Sequence, residues 1–182
     1  MIGAVASGVS TNTLWREFVN WAQFMSRHEL PVDMRISVEQ PVHWARHMIR
    51  TRDLQKETGG FTEFVPLPYV HMAAPLYLQH RSRRGPTFRE ALLMHAVGRI
   101  AYGPLVPSIQ TSWVKMGVSG ARQCLQAGAN DLGGTLMDEN ISRAAGATHG
   151  QRMDETEFRE LVEPLGRPLE QRTTLYGRVA AS

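Results

Sequence analysis

Apolar residues Leu14, Trp15, Phe18, Val19, Ala22 and Met25 recur at helical spacing, with polar residues opposite and Asn12 or Thr13 ahead of them as a cap. This spacing predicts an amphipathic helix over residues 13–27. Beyond Leu30-Pro31, residues 33–38 alternate polar and apolar like a short strand, and Pro41 opens a helix that Gly59-Gly60 ends near residue 58. The same order then returns: a strand over 61–66, a long loop over 67–85, and a helix over 87–102 with Pro86 just before it. Residues 109–113 and 118–127 form a further strand–helix pair, and 132–137 with 139–145 form another. Residues 155–165 read as a closing helix.

Strands that alternate with helices through right-handed crossovers build a parallel sheet, either open or closed into a barrel. In both forms ligands gather at the carboxyl ends of the strands. Four βα units amount to half of an eight-unit barrel, which takes about 250 residues. The pattern supports a half-barrel or a small α/β domain.

Composition narrows the class. The 182 residues are 42% hydrophobic, enough for one buried core. The chain has no run of eighteen apolar residues and no basic segment ahead of its apolar start, so neither a membrane span nor a signal peptide is expected and the cytoplasm is the default location. A single cysteine, Cys124, excludes an internal disulfide and any all-cysteine metal or cluster site made by this chain alone, so no metal is expected. The formal charge is +3. The densest basic run, Arg81-Ser82-Arg83-Arg84, has no aromatic residue within it to stack a base, so it reads as a solvated loop and no nucleic acid is expected.

Polar groups nevertheless crowd the strand ends. Gln110, Ser112 and Trp113 close one strand, and amide, hydroxyl and indole groups there can recognise the edge and face of a heterocycle. Capping of nearby backbone is the alternative role for Gln110 and Ser112. Asn130, Asp131 and Thr135 flank the Gly133-Gly134 turn of the next strand, where glycine lets backbone approach a ligand or simply permits a tight turn. Alternation places Glu63 opposite Phe64 on the inner face, where it either contacts a ligand amine or hydroxyl or pairs with an arginine such as Arg172. The loop after it carries His71, a hydrogen-bonding or acid–base candidate. His43 and His47 lie four apart on one helix face, but two histidines without a third ligand are a weak metal signal, and Met116, Met137 and Met153 read as core filler. No Gly-x-Ser-x-Gly elbow and no Walker loop is present.

Four blocks are specific in combination: Gly59-Gly60-Phe61-Thr62-Glu63-Phe64-Val65-Pro66-Leu67-Pro68-Tyr69-Val70-His71, residues 109–117, residues 128–147, and residues 166–168 with Gln171-Arg172-Thr173-Thr174-Leu175-Tyr176-Gly177. Together they resemble the C-terminal half of the FO synthase family, in its tyrosine-using radical S-adenosylmethionine part, across residues 39–178 and more loosely across 11–38. The resemblance implies an α/β fold, the C-terminal half of a (β/α) TIM-type radical barrel with about four βα units plus a C-terminal helix. Residues 31–182 would form that half, and residues 1–30 a divergent segment with one amphipathic helix. It also implies a 4Fe-4S cluster and S-adenosylmethionine as cofactors. A deoxyadenosyl radical would take hydrogen from tyrosine, whose hydroxybenzyl portion is joined to 5-amino-6-(D-ribitylamino)uracil in making a deazaflavin coenzyme. By position, Glu63, His71, Gln110, Ser112, Trp113, Asn130, Asp131 and Thr135 are its substrate- or S-adenosylmethionine-binding candidates.

Two departures stand out. The family's three-cysteine cluster motif is absent, and Arg35-Ile36-Ser37 replace an expected Tyr-Gly-His stretch. The chain therefore reads as a fragment, inactive alone, that needs a missing N-terminal half-barrel or associates with itself. The alternatives are a non-catalytic remnant that binds a heterocycle and the related futalosine branch of menaquinone enzymes.

Overall fold

The computed structural model describes residues 3–5, 41–135, 141–148, 152–173, 177 and 179. The expected helix over 13–27, the strand over 33–38, the Arg35-Ile36-Ser37 departure and Met137 lie outside the described residues. In chain order the elements are strand β1 (Gly3–Val5), helix α1 (Pro41–Thr58), β2 (Glu63–Phe64), the short α2 (Pro75–Leu78), α3 (Phe88–Tyr102), β3 (Ser108–Ile109), α4 (Trp113–Gln126), β4 (Asp131–Gly134), α5 (Ile141–Ala144), α6 (Glu155–Val162) and β5 (Glu170–Arg172). The fold is mixed α/β.

Local chemistry explains most boundaries. Gly59, at φ 59°, ends α1 by donating its N–H to the Gln55 carbonyl at 2.8 Å. The Gln55 side chain then holds the next strand: its Nε2 donates to the Phe61 and Leu105 carbonyls at 2.8 Å each, and its Oε1 accepts the Phe61 N–H at 2.7 Å. Reciprocal capping boxes, Thr87 with Glu90 and Asp154 with Glu157, start α3 and α6. In α4, Gly117 adopts φ 67° and ψ 172°, a backbone state that side chains disfavour, so the element is one turn from Trp113 followed by a second helix.

β2 and β3 pair in parallel, Glu63 beside Ser108 and Phe64 beside Ile109, and a parallel bridge between Gln110 and Asp131 carries the order on to β4. β1 departs from the all-parallel expectation. It lies between β4 and β5 and runs antiparallel to both. β5 has no counterpart in the sequence reading, where its polar Glu170-Gln171-Arg172 lacks the apolar run that marks a strand. The strand expected over 109–113 ends earlier, so Trp113 begins a helix instead of closing a strand.

Alternation along the strands sorts side chains onto two faces. Phe64, Ile109 and Leu132 join the core with Met48, Tyr102, Trp113, Phe158 and Leu161 of the helices. Met153 is buried in that core and Met116 packs against it, as core-filling methionines do. Phe64 lies against Gly98 of α3 and contacts the Tyr102 ring at 4.9 Å, while Phe158 meets Trp113 edge-on at 6.1 Å.

Arg99 of α3 and Asn130 fix the strand register from outside. Arg99 donates to the carbonyls of Gly128 and Pro107 at 2.8 and 2.7 Å and to Asn130 Oδ1 at 2.6 Å, and the same oxygen accepts the Ile109 N–H at 2.8 Å. Asn130 Nδ2 completes the strut with Pro107 at 3.1 Å.

A Cβ at Gly98 would fall 2.8 Å from the Phe64 ring. Gly98→Val is therefore expected to destabilise the fold by about 1–3 kcal/mol through overpacking. Urea unfolding tests this, and an unchanged midpoint would mean that the ring moves aside at no cost.

Candidate functional site

The opposite face of the strands is polar. Glu63, Ser108 and Gln110 alternate with Phe64 and Ile109, and Asp131 precedes the core residue Leu132, so these four side chains share the face turned away from the helices. The Gln110 amide packs on Gly133, where a Cβ would sit 2.8 Å from Nε2. Gly133 thus admits a neighbouring side chain at close range, at a φ of 75° that glycine adopts without strain.

The charged groups form a compact set. Asp131 is buried at 1% exposure, and its Oδ2 accepts from Arg172 Nε at 3.2 Å and Nη2 at 3.0 Å. Its Oδ1 accepts the Gly133 N–H at 2.7 Å. Burial pushes the Asp131 carboxyl up, while Arg172 and the Gly133 N–H pull it down. In the row Gly134–Gly3–Arg172 only the arginine carries a side chain, which leaves its guanidinium room to reach along the strands to Asp131.

Glu63 is different. It is 3% exposed, and its Oε2 has no hydrogen-bond partner. Burial, reinforced by the neighbouring Asp131 charge and only partly offset by Arg172, pushes its carboxyl up to about 8. The direct pairing of Glu63 with Arg172 that the sequence allows is replaced by pairing of Arg172 with Asp131, and Arg172 acts on Glu63 through space.

The other candidates scatter. Thr135 is half-buried just past β4. Ser112 holds the N-cap position of α4 without a side-chain cap bond. Trp113 is a core residue, 2% exposed, with its Nε1 donating to the Gly134 carbonyl at 3.2 Å, so its ring face is spent on packing. Asn130 belongs to the strut behind β3. His71 Nδ1 accepts the Gly85 N–H at 3.2 Å and its ring meets Tyr77 edge-on at 4.7 Å, which pins the two ends of the long loop together. In the basic run, Arg83 lies over the Trp44 ring at 5.8 Å and beside Glu90 at 3.8 Å. His95, fully buried, donates from Nδ1 to the Ala91 carbonyl at 2.8 Å, and burial lowers its affinity for a proton.

The structure thus brings Glu63, Gln110 and Asp131 together and adds Ser108 and Arg172. Ser108 was legible, since Ser108, Gln110 and Ser112 hold every second position of one polar register.

Among the described residues no helix is long and apolar enough to cross a membrane.

Comparison with known proteins now bears on this face. The sequence model of the CofH/MqnC C-terminal region family matches residues 58–178, which contain all five side chains. The chain belongs to this family. It is 47% identical over 175 residues to an FO synthase of Nocardia farcinica, covering 96% of this chain and 20% of that protein. It is 45% identical over 177 residues to an FO synthase of Mycobacterium tuberculosis, covering 97% and 21%. Over 139 residues it is 52% identical to a 5-amino-6-(D-ribitylamino)uracil–L-tyrosine 4-hydroxyphenyl transferase of Methanopyrus kandleri, covering 76% and 38%. The chain therefore spans about a fifth of the length of these FO synthases.

Asp131→Asn removes the buried carboxylate that accepts two Arg172 N–H bonds and is expected to cost about 3 kcal/mol of stability, as removal of one partner from a buried pair does; chemical unfolding measures it. In the folded state Glu63 holds its proton up to about pH 8, whereas unfolded it releases it near 4.5. Wild-type stability should therefore fall as pH rises between these values, and Glu63→Gln, neutral throughout, should flatten that decline by up to roughly 1.4 kcal/mol per pH unit. Unfolding at pH 5, 6.5 and 8 reads the difference, and parallel curves for the two proteins would mean that Glu63 is ionised in the fold.

Proposed function

We propose that this chain forms the substrate-facing C-terminal half of the (β/α) barrel in an FO synthase-type transferase, one that joins the hydroxybenzyl part of tyrosine to 5-amino-6-(D-ribitylamino)uracil. The carrying observation is the polar inner face of Glu63, Ser108, Gln110, Asp131 and Arg172, which lies within the residues matched by the family and beside the strand ends where such barrels bind ligands. The relatives' names support this substrate pair over the futalosine alternative.

The cofactors implied by the family fit this chain poorly. A cluster needs several thiolates, and the sequence has one cysteine. Cys124 is fully buried in α4, and burial pushes its thiol up, away from the thiolate that iron requires. Among the described residues no group of three or more His, Cys, Asp or Glu is placed to hold a metal ion. No radical step is assigned to these residues. In this reading the cluster and S-adenosylmethionine are held by residues outside this sequence, and this chain contributes binding and orientation. Asp131 and Arg172 fix the inner face, Gln110 offers an amide to the substrate's polar edge, and the helices behind exclude water.

A second reading, a non-catalytic remnant that binds a heterocycle, draws on the same single cysteine. A chimera separates the two: residues 41–178 replace the aligned segment of the Methanopyrus enzyme, and product formation from tyrosine and the ribitylaminouracil is assayed anaerobically. Activity within about tenfold of the parent is expected. An inactive chimera that still shows cluster absorbance would overturn the transferase reading. The 182-residue chain alone, reconstituted with iron and sulfide, is expected to show no absorbance near 400 nm that survives desalting.

A further inference from the structure

Glu63 Oε2 is a polar atom sealed from solvent, without a partner, on the face assigned above to substrate. A buried donor or acceptor left unmade is costly, so such an atom is most simply explained by a partner that arrives with the ligand. Among the described residues, the charged groups that act on it are Asp131 on β4 and Arg172 on β5, and these two are bonded to each other. Their charges cancel. Among the described residues Glu63 therefore has no cation that is not already paired, and as a carboxylate it would be a buried charge without a dedicated partner.

Ligand chemistry follows from that state. A carboxylate in this position would select an ammonium group, such as the amino group of an amino acid. A carboxylic acid instead presents an O–H donor and a C=O acceptor side by side, and the complementary edge is an adjacent C=O and N–H within one ring amide. Resting on the transferase reading, we propose that the Glu63 carboxyl pairs edge to edge with a ring C=O/N–H of the pyrimidinedione, so that this wall of the site takes the aminouracil and not tyrosine. Gln110, half-buried on the same face and nearer the strand end, supplies the next donor and acceptor along the ring.

The test is calorimetric titration of the full 182-residue chain with 5-amino-6-(D-ribitylamino)uracil, with its 1,3-dimethyl analogue, which keeps both carbonyls and lacks both ring N–H groups, and with tyrosine. The uracil is expected to bind at pH 7, and the dimethyl analogue and Glu63→Ala each to weaken binding at least tenfold. Glu63→Gln, whose amide offers the same donor–acceptor pair, is expected to stay within about threefold of wild type. Wild-type affinity should fall between pH 7 and 9 as the acid ionises, and that of Glu63→Gln should not. Equal binding by Glu63→Ala, a Glu63→Gln as weak as Glu63→Ala, affinity that rises with pH, or a loss confined to tyrosine would each overturn the assignment while leaving the transferase reading intact. A wild-type chain that binds no uracil also overturns it, and the chimera's product then decides separately whether the transferase reading stands.

Discussion

Asp131 and Arg172 come from strands whose residues are 41 apart in sequence, and either charge buried alone would cost several kcal/mol. The inner face is arranged so that neither is alone. Glycines in the Arg172 row clear the way for the guanidinium, the Gly133 N–H supports the second carboxylate oxygen, and the strut behind β3 holds β4 at the register that brings the pair together. Because Arg172 is committed to Asp131, Glu63 is left to solve its burial by keeping a proton. Burial thus sets the protonation of Glu63, and the ion pair beside it adjusts the balance.

The helices enter this scheme as a support. Residues facing them are apolar and close-packed, and Gln55 and Arg99 reach from the helices to the segments flanking the strands, each serving several backbone groups at once. Such side chains satisfy carbonyls that short two-residue strands leave outside a ladder. The strands can then remain short without losing register.

Much of this was legible in the sequence. Pro41, Gly59, Pro86 and the 3.6-residue spacing placed the helices well, because prolines and glycines act locally, whereas the Thr87 and Asp154 capping boxes emerge only in the structure. Period-two alternation put Glu63 opposite Phe64, and polar residues at the ends of apolar runs marked Gln110 and Asp131 as site candidates. Partner choice was not legible: whether Arg172 meets Glu63 or Asp131 depends on how β1 and β5 align, and the polar β5 leaves no hydrophobic signature. Trp113 misled for a related reason. An indole near a strand end suits a heterocycle equally well as a core, and only the position of Phe158, 45 residues on, decides between them.

The break at Gly117 has a bearing of its own. A continuous α4 would couple the direction of its first turn to that of its core-packed portion, so a change at either end would re-aim the other. With φ near 67° at one glycine, the helical path is broken between the two segments, and each takes its direction from its own packing. Val118 to Gln126 is anchored by Ala121, Cys124 and Leu125, while residues 113–116, anchored by Trp113 and Val114 and with Lys115 bonded to Ser142 of α5, form a corner next to the strand ends. That corner is held from both sides: Trp113 and Val114 sink into the core while Lys115 reaches out to α5, so a change made at the mouth is felt in the packing beneath it.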